Sequence, residues 1–215
     1  NIAFPVTMII GAVGFMLGTG GSALVSYTLG TGDKEKANRY FSMMVYFTIL
    51  AGILLTVLGI IFVRPMAELF GADESMMDTC VLYGRIVIAF NAAYMLQNIF
   101  QSFFVVAEKP RLGLIVTIAA GVTNMVLDAL FVGVFKWGIV GAALATGISQ
   151  SIGGLLPLLY FALPNNSPLQ LTRTGFELAP LLKASSNGCS ELMSNVASSL
   201  IGIVYNYQLM RLGGE

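Results

Sequence analysis

Six apolar runs, each about 20 residues or longer, dominate this sequence. An α-helix of about 20 apolar residues crosses a hydrocarbon core roughly 30 Å thick. We expect the spans at 3–29, 40–63, 80–106, 112–135, 138–162 and 185–209. A helix in lipid satisfies its own backbone hydrogen bonds, and short connections make successive helices antiparallel neighbours. The sequence therefore predicts an all-α, polytopic membrane helix bundle.

The composition supports a membrane protein. Hydrophobic residues make up 56% of the 215 positions and charged residues 10%, whereas about a quarter of a soluble domain is charged. The chain has no histidine and only two cysteines, Cys80 and Cys189, which excludes histidine-based nucleophile activation and a thiolate metal cluster. Eleven basic residues balance eleven acidic ones without a long basic run, so nucleic acid is not an expected partner. We expect neither an enzyme nor a bound cofactor.

The basic residues predict the orientation of the spans. The first, third and fifth connections hold most of them: Lys34, Lys36, Arg39, Lys109, Arg111, Arg173 and Lys183. The second and fourth connections hold only Arg64 and Lys136. Connections rich in Lys and Arg stay in the cytoplasm, so the first span should run inward and the sixth outward in a multi-pass protein of the plasma (inner) membrane.

Small and polar residues recur on one face of several spans. The spacing i, i+4, i+7, i+11 marks a single helical face. The fourth, fifth and sixth spans share it: Thr117, Gly121, Asn124 and Asp128; Ala142, Thr146, Ser149 and Gly153; Asn187, Glu191, Ser194 and Ser198. In the third span Asn91, Asn98 and Ser102 share a face, with Gln97 and Gln101 beside it. These stripes should converge on an interior that lipid does not reach.

Glycines in the first span favour close helix packing rather than a binding site. Gly11, Gly14, Gly18 and Gly21 repeat along that span. Small residues allow two membrane helices to approach each other closely. We expect these glycines to face neighbouring helices.

Asp128 is the residue that points most directly to function. A charged side chain at the centre of a membrane helix costs about 2.5–3.5 kcal/mol on insertion scales, so it needs a partner or a proton. Asn124 lies one turn earlier, and Thr146 lies nearby if the fifth span packs alongside; both offer oxygens to a small cation or hydrogen bonds to the carboxyl. Burial favours the protonated carboxyl and a bound cation favours the charged form, so the site would be able to exchange a proton for a metal ion. The alternative is a structural carboxyl that braces two helices.

Glu191 is a second carboxyl within a predicted span. Because it lies in the first turns of the sixth span, it would either take part in function or reach toward the lipid headgroups. We assign Glu191, Gln97 and Gln101 to substrate binding or coupling as a hypothesis.

Three stretches resemble a known transporter family. Residues 29–37, LGTGDKEKA, follow a glycine-rich span and resemble the loop between the second and third helices of the multidrug and toxic compound extrusion (MATE) transporters. Residues 124–128, NMVLD, followed by residues 138–146, GIVGAALAT, look like the fifth and sixth helices of that family. The resemblance covers essentially the whole chain as helices two to seven of a twelve-helix protein.

This resemblance implies a domain organisation. Residues 1–163 would supply most of the N-terminal six-helix lobe, residues 164–184 the cytoplasmic linker between the lobes, and residues 185–215 the first span of the C-terminal lobe. The chain begins inside one apolar stretch and stops just after another, so we expect a piece of a longer membrane protein that is monomeric at full length. The implied activity is antiport: sodium ions or protons would drive the export of organic cations or drugs.

The resemblance also implies roles for individual residues. Asp128, Asn124 and Thr146, with Asn98 as a further member, would form the cation site of the first lobe, which is also the place for a possible sodium ion. Glu191 looks like the carboxylate of the seventh helix implicated in substrate or cation coupling. The first helix of the family, which contributes a further acidic residue, is not covered, so the choice between sodium and protons stays open.

Three other functions remain as alternatives. A lipid or lipid-linked oligosaccharide flippase of the same superfamily would share the helices but should carry basic residues in its cavity, and only Arg85 lies within a span. A membrane-embedded enzyme would need a catalytic pair, for which Asp128 with Glu191 is the only acidic candidate. A pure scaffold would tolerate the substitution Asp128→Asn without loss of transport.

Overall fold

Helices and their connecting loops make up all of the chain that the computed structural model describes, residues 3–69 and 74–213. The helices are α1 (Ala3–Gly30), α2 (Lys34–Leu69), α3 (Glu74–Ala89), α4 (Asn91–Val106), α5 (Pro110–Asp128), α6 (Gly138–Ala162) and α7 (Leu178–Gly213). A π-helical segment, Ala129–Val134, continues α5. The predicted all-α helix bundle is confirmed.

Within the described residues, α1, α2, α6 and the combination of α5 with its π segment are each long and apolar enough to cross a membrane. The helices α3 and α4 together form a fifth such span, which bends by 46° at their junction. The sequence predicts one continuous span over 80–106, and the bend departs from that prediction. The bend lies at Phe90, whose ring occupies the space that a side chain at Gly147 of α6 would need.

The sixth predicted span, α7, is helical, but its described residues are not among the segments that are long and apolar enough to cross a membrane. Polar residues such as Asn187, Glu191 and Asn195 lower its hydropathy. The helix begins at Leu178 rather than at 185, so the segment without helix, which we call the linker, runs over residues 163–177 and ends before the predicted 184. The early start is compatible with Pro180, because proline is tolerated in the first turn of a helix.

The second helix also begins earlier than predicted, at Lys34 rather than 40. The Asp33 side chain accepts a hydrogen bond from the backbone N–H of Lys36 at 3.0 Å, which is the pattern of an N-cap. At its other end α2 continues to Leu69 and α3 begins at Glu74. Residues 70–73 of the predicted second connection lie outside the described residues.

The helix α4 forms the centre of the bundle, with α1, α2, α5 and α6 packed around it. Its buried residues are Asn91, Met95, Leu96, Asn98, Ile99, Phe100, Phe103 and Phe104. Near the start of α2, Phe41 contacts Phe103 and Phe161, with ring centroids 4.8 and 5.0 Å apart. Buried aromatic rings supply much of the apolar area in a core, so this cluster holds α2, α4 and α6 together.

The glycines of α1 bring that helix against α4. A Cβ atom at Gly14 would lie 2.9 Å from the Cα atom of Met95, and one at Gly18 would lie 3.2 Å from the Cα atom of Ile99. The two backbones are therefore so close that a larger residue would push them apart. The packing role expected for these glycines is confirmed.

A second close crossing joins α1 to α7. A Cβ atom at Gly20 would overlap the carbonyl oxygen of Ala184, and a Cβ atom at Gly188 would overlap the carbonyl oxygen of Met16. This contact joins the first and last helices of the described chain.

The linker lies along α2 and is hydrogen-bonded to it. The backbone N–H groups of Gln170 and Thr172 donate hydrogen bonds to the side chains of Asn38 and Ser42, at 3.0 and 2.8 Å. Leu169 is fully buried between these anchors and the bundle. The path from α6 to α7 is therefore fixed by side chains of α2.

Candidate cation site

Asp128 is the last residue of α5, and the π segment begins directly after it. In a π-helix the hydrogen bonds run from residue i+5 to residue i, which widens the turn; here the N–H of Phe135 donates to the carbonyl of Leu130 at 2.9 Å. Such segments inside helices are rare and frequently accompany functional sites. The carboxyl therefore lies where the regular helix of this span is interrupted.

The surroundings of the Asp128 carboxyl leave one oxygen unpaired. The residue is half-buried, and its Oδ1 atom is sealed from solvent with no hydrogen-bond partner among the described residues. Buried polar atoms in proteins are nearly always paired, because an unpaired one loses its hydration without compensation. An oxygen in this position suits a bound cation, a proton or an ordered water.

The neighbouring helix brings Thr146 to the level of Asp128. The helix α6 packs against α5, as the assignment of Thr146 requires. The two residues lie at similar sequence distances from the turn at Lys136 and Trp137, so antiparallel helices place them at the same depth. The Thr146 hydroxyl donates to the carbonyl of Ala142 at 3.0 Å rather than to the carboxyl, which leaves its lone pairs for a cation.

Asn124, the other predicted neighbour, lies one turn below Asp128 on α5 and is half-buried. Its side chain forms no hydrogen bond within residues 3–69 and 74–213. Its amide oxygen is therefore not committed to another group. Asn124 remains a predicted member of the site.

Two further residues, which the sequence analysis did not single out, are candidates for this part of the bundle. Gln150 lies one turn beyond Thr146 on α6, and its Oε1 atom is buried without a partner in the described chain. Tyr83 of α3 is close enough for the charge of Asp128 to act on its phenol. Gln150 could have been found from its i+4 spacing to Thr146. No sequence signal predicts Tyr83, because α3 and α5, which carry Tyr83 and Asp128, are not consecutive spans.

Asn98 has a different environment. It is buried on α4, its side chain hydrogen-bonds with that of Tyr94, and its Nδ2 atom has no partner within the described residues. The helices α4 and α5 come close near Gly113, at the start of α5, where a Cβ atom would lie 3.1 Å from the Cβ atom of Phe104. No hydrogen bond joins Asn98 to Asp128 in the part of the chain that the structure covers, so its membership of the cation site stays a prediction.

Gln97 and Gln101 border a narrow crevice between α4, α5 and α6. The Gln97 side chain lies against Gly153 of α6. The crevice has a volume of about 10 Å³, which is close to the space of one water molecule and far below the several hundred Å³ typical of drug sites. Their assignment to substrate binding therefore stays a prediction, and this crevice does not support it.

Glu191 lies well inside α7, because that helix starts before the predicted span. Because α7 begins at Leu178, roughly three and a half turns precede Glu191, so it does not occupy the first turns of the helix. Its Oε1 atom lies 3.4 Å from the Nδ2 atom of Asn195, which also donates to the Glu191 carbonyl at 2.8 Å. Its role in coupling stays a prediction.

Asp128 and Glu191 do not form a pair. Among the described residues α7 packs against α1 and α2 and not against α5. The acidic pair that a membrane-embedded enzyme would need is therefore not assembled. In the same residues no three acidic or cysteine side chains cluster as a metal site.

Part of the chain matches a known protein family. The family model MatE matches residues 1–130. The chain belongs to the MatE family. The resemblance to this family is thereby confirmed, and the matched region includes residues 29–37, residues 124–128 and therefore Asp128.

Relatives of this MatE chain include multidrug exporters. It is 24% identical over 216 residues to the "Multidrug export protein MepA" of Staphylococcus saprophyticus, a match that covers 99% of this chain and 48% of the relative. It is 25% identical over 167 residues to the MepA protein of Staphylococcus haemolyticus, covering 78% of this chain and 37% of the relative. The MatE chain thus spans half or less of the length of these relatives.

Solved structures agree on the fold. A crystal structure of MATE in complex with MaD3S superposes with a TM-score of 0.89 at 21% identity, covering all of this chain and 49% of that one. A MOP superfamily transporter from Pyrococcus furiosus, described as having a binding pocket of reversed polarity, superposes with a TM-score of 0.88 at 21% identity, covering 100% of this chain and 48% of that one. The helices of this MatE chain therefore have the arrangement of half a MATE transporter.

Proposed function

We propose that the MatE protein containing this chain is an antiporter that exports organic cations or drugs across the plasma membrane in exchange for sodium ions or protons. The observation that carries the proposal is the Asp128 carboxyl. It lies within a span, has an unpaired buried oxygen, and stands at the depth of Thr146 on the adjacent helix. The relatives named multidrug export proteins support the same activity.

Occupation of the site changes its charge. Sodium or a proton that arrives down its gradient neutralises Asp128, and we assign as further ligands the oxygens of Asn124, one turn earlier on α5, and of Thr146 and Gln150 on the adjacent α6. A ligand shifts a conformational equilibrium only if it binds one state better than the other. The π segment gives α5 a place to adjust, because the regular hydrogen-bond pattern already changes there. Ion binding then favours a conformation in which the outer parts of α5 and α6 have shifted. In that conformation the substrate is released outward.

Aromatic side chains near the same end support an organic cation as substrate. Phe131, Phe135 and Trp137 follow Asp128 along the chain, and the Trp137 ring lies 5.0 and 5.3 Å from the other two rings. The faces of aromatic rings attract cations, including quaternary ammonium groups. A carboxyl followed by such a cluster offers a negative charge and aromatic faces, and these are the groups that bind a lipophilic cation.

The test is efflux of a fluorescent organic cation such as ethidium from cells that express the full-length protein and lack other exporters. We expect Asp128→Asn to reduce the initial efflux rate at least tenfold, because the neutral amide does not change charge with ion binding. The matched control is Asp78→Asn, an exposed carboxylate on α3, which should leave efflux unchanged. Normal efflux in the Asp128→Asn variant would refute the proposal.

Imposed gradients distinguish the two coupling ions. Each gradient is imposed alone on everted vesicles. We expect the vesicles to take up the substrate with either the sodium gradient or the pH gradient, but not with both. Collapse of that gradient should stop transport in the parent protein. Transport that continues with neither gradient would show that ions do not drive it.

A further inference from the structure

A cavity at the cytoplasmic ends of α5 and α6 is not used by the proposed transport mechanism. It has a volume of about 560 Å³ and is lined by Lys109, Leu112, Tyr160, Leu163, Pro164, Asn165 and Asn166. The two apolar spans at this place are Pro110–Val134 and Gly138–Ala162. The cavity therefore lies just beyond the end of each span, at the depth of the lipid headgroups.

The cavity contains a positive charge without a protein partner. Lys109 is half-buried, and in the described chain its ammonium group forms neither an ion pair nor a hydrogen bond. A partly buried cation is stabilised by an opposite charge nearby. The lining includes no carboxylate, so an anion from outside the chain would find a positive charge there without competition from the protein.

The rest of the lining suits an amphiphile. Asn165 is held rigidly, because its Nδ2 atom donates to the carbonyls of Tyr160 and Leu163 at 3.1 and 3.2 Å. Asn166 is exposed and has no side-chain partner among residues 3–69 and 74–213, so its amide is available to an acceptor. On the membrane side the wall is apolar: Leu163 is 61% exposed, and Leu159 one turn deeper is 57% exposed.

We propose that this cavity binds the phosphate headgroup of an anionic glycerophospholipid of the cytoplasmic leaflet. Lys109 provides the counter-charge, Asn166 donates a hydrogen bond to a phosphate oxygen, and the acyl chains extend along Leu163 and Leu159. A zwitterionic lipid fits less well, because no carboxylate in the lining matches its ammonium group. Basic pockets between membrane helices on the cytoplasmic side are known to bind acidic headgroups.

Native mass spectrometry of the purified protein in detergent tests the proposal, with phosphatidylglycerol and phosphatidylcholine of equal chain length as probes. We expect phosphatidylglycerol to bind more tightly, and Lys109→Gln to weaken it about fivefold, which corresponds to about 1 kcal/mol for a basic residue near an anionic headgroup. The matched control is Lys34→Gln, an exposed cytoplasmic lysine outside the cavity, which should have no effect. Equal binding of both lipids, or equal losses in both variants, would overturn the proposal.

A second variant and a competition experiment distinguish a lipid site from a site for a free anion. Asn166→Asp places a carboxylate in the lining at an exposed position that tolerates change, and it should reduce the preference for phosphatidylglycerol even if Lys109→Gln does not fold. Inorganic phosphate should not compete with the lipid at matched concentration, because it lacks the acyl chains. Full competition by phosphate would show a site for a free anion and overturn the lipid assignment.

Discussion

At the scale of single residues, neutral oxygens matter to the candidate site as much as its carboxyl does. In the proposed site Asp128 supplies the charge, and Thr146 and Gln150, one turn apart on α6, are the candidates for uncharged oxygens. Hard cations are held by several oxygen ligands rather than by one. The unpaired Gln150 oxygen is therefore expected to act on the bound ion, directly or through a water.

Replacement of Gln150 tests that role. Gln150→Leu keeps most of the volume and removes the amide, so the coupling ion loses a supporting oxygen. We expect the ion concentration for half-maximal transport to rise at least tenfold, as is typical when outer partners of an ion site are lost, while the maximal rate changes less. The measurement is a sodium or proton titration of efflux, and the control is Gln208→Leu, at an exposed position on α7. An unchanged titration curve would remove Gln150 from the site.

Asp128 was singled out because a carboxyl in an apolar run has few explanations, and Asn124 because it lies one turn away on the same face. Thr146 depended on the fifth span packing beside the fourth, and α6 does pack against α5, while the roles of all three stay predictions. Tyr83 was not predictable, because its position near Asp128 depends on how α3 crosses the bundle, which no local pattern encodes. The helix α7 begins before the predicted sixth span. Helix propensity extends α7 back to Leu178, whereas hydropathy alone marks only the part of the helix that enters the membrane.

At the scale of elements, close backbone contacts decide which helices pair. The crossing of α1 and α7 depends on glycine at two positions, Gly20 and Gly188, where any side chain would overlap a carbonyl oxygen of the opposite helix. Gly202 lies on the same helix α7 with no atom in its way. The chain thus contains its own comparison between a packed glycine and an open one.

The pair Gly188→Val and Gly202→Val measures the contribution of the crossing. Both changes alter helix propensity equally, but only the first forces the two helices apart. Overpacking of this kind costs about 1–3 kcal/mol, which lowers the Tm by roughly 2–12 °C for a chain of this size. Thermal unfolding in detergent is the readout, and equal Tm values for the two variants would show that α1 and α7 are not in close contact.

The attachment of the linker to α2 can be tested separately. Ser42→Ala removes the acceptor for the Thr172 N–H group and leaves it unpaired, at a cost of about 1–3 kcal/mol. We expect trypsin to cleave faster at Arg173, which is exposed in the loosened segment. The control is Ser26→Ala at an exposed position of α1, and cleavage at the parent rate in the Ser42→Ala variant would contradict the anchoring.

The helices themselves were predictable from long apolar runs, because a membrane leaves a spanning segment few other conformations. The bend at Phe90 was not, since it depends on the fit of one ring against Gly147 of another helix. The start of the linker was predictable from its prolines. Its path along α2 was not, because it requires particular hydrogen bonds to Asn38 and Ser42.

At the scale of the whole molecule, the distribution of basic residues predicts which face meets the cytoplasm. Gly175 in the linker and Lys136 in the turn before α6 should lie on opposite sides of the membrane. In a background without Cys80 and Cys189, a membrane-impermeant thiol reagent should label Lys136→Cys in intact cells and Gly175→Cys only after the cells are opened. Labelling of both variants in intact cells would show that the assigned orientation is wrong.

The close contact between the first and last helices of the described chain has a consequence for how the protein is made. The ribosome delivers α1 to the bilayer long before α7 exists, and during that time the face of α1 around Gly20 must contact lipid tails or an insertion factor. A glycine-lined helix face in lipid offers little surface for dispersion contacts, so early intermediates are expected to be the least stable ones. Nascent chains that stop before Leu178 should accordingly be degraded by membrane quality control sooner than chains that extend beyond Gly188.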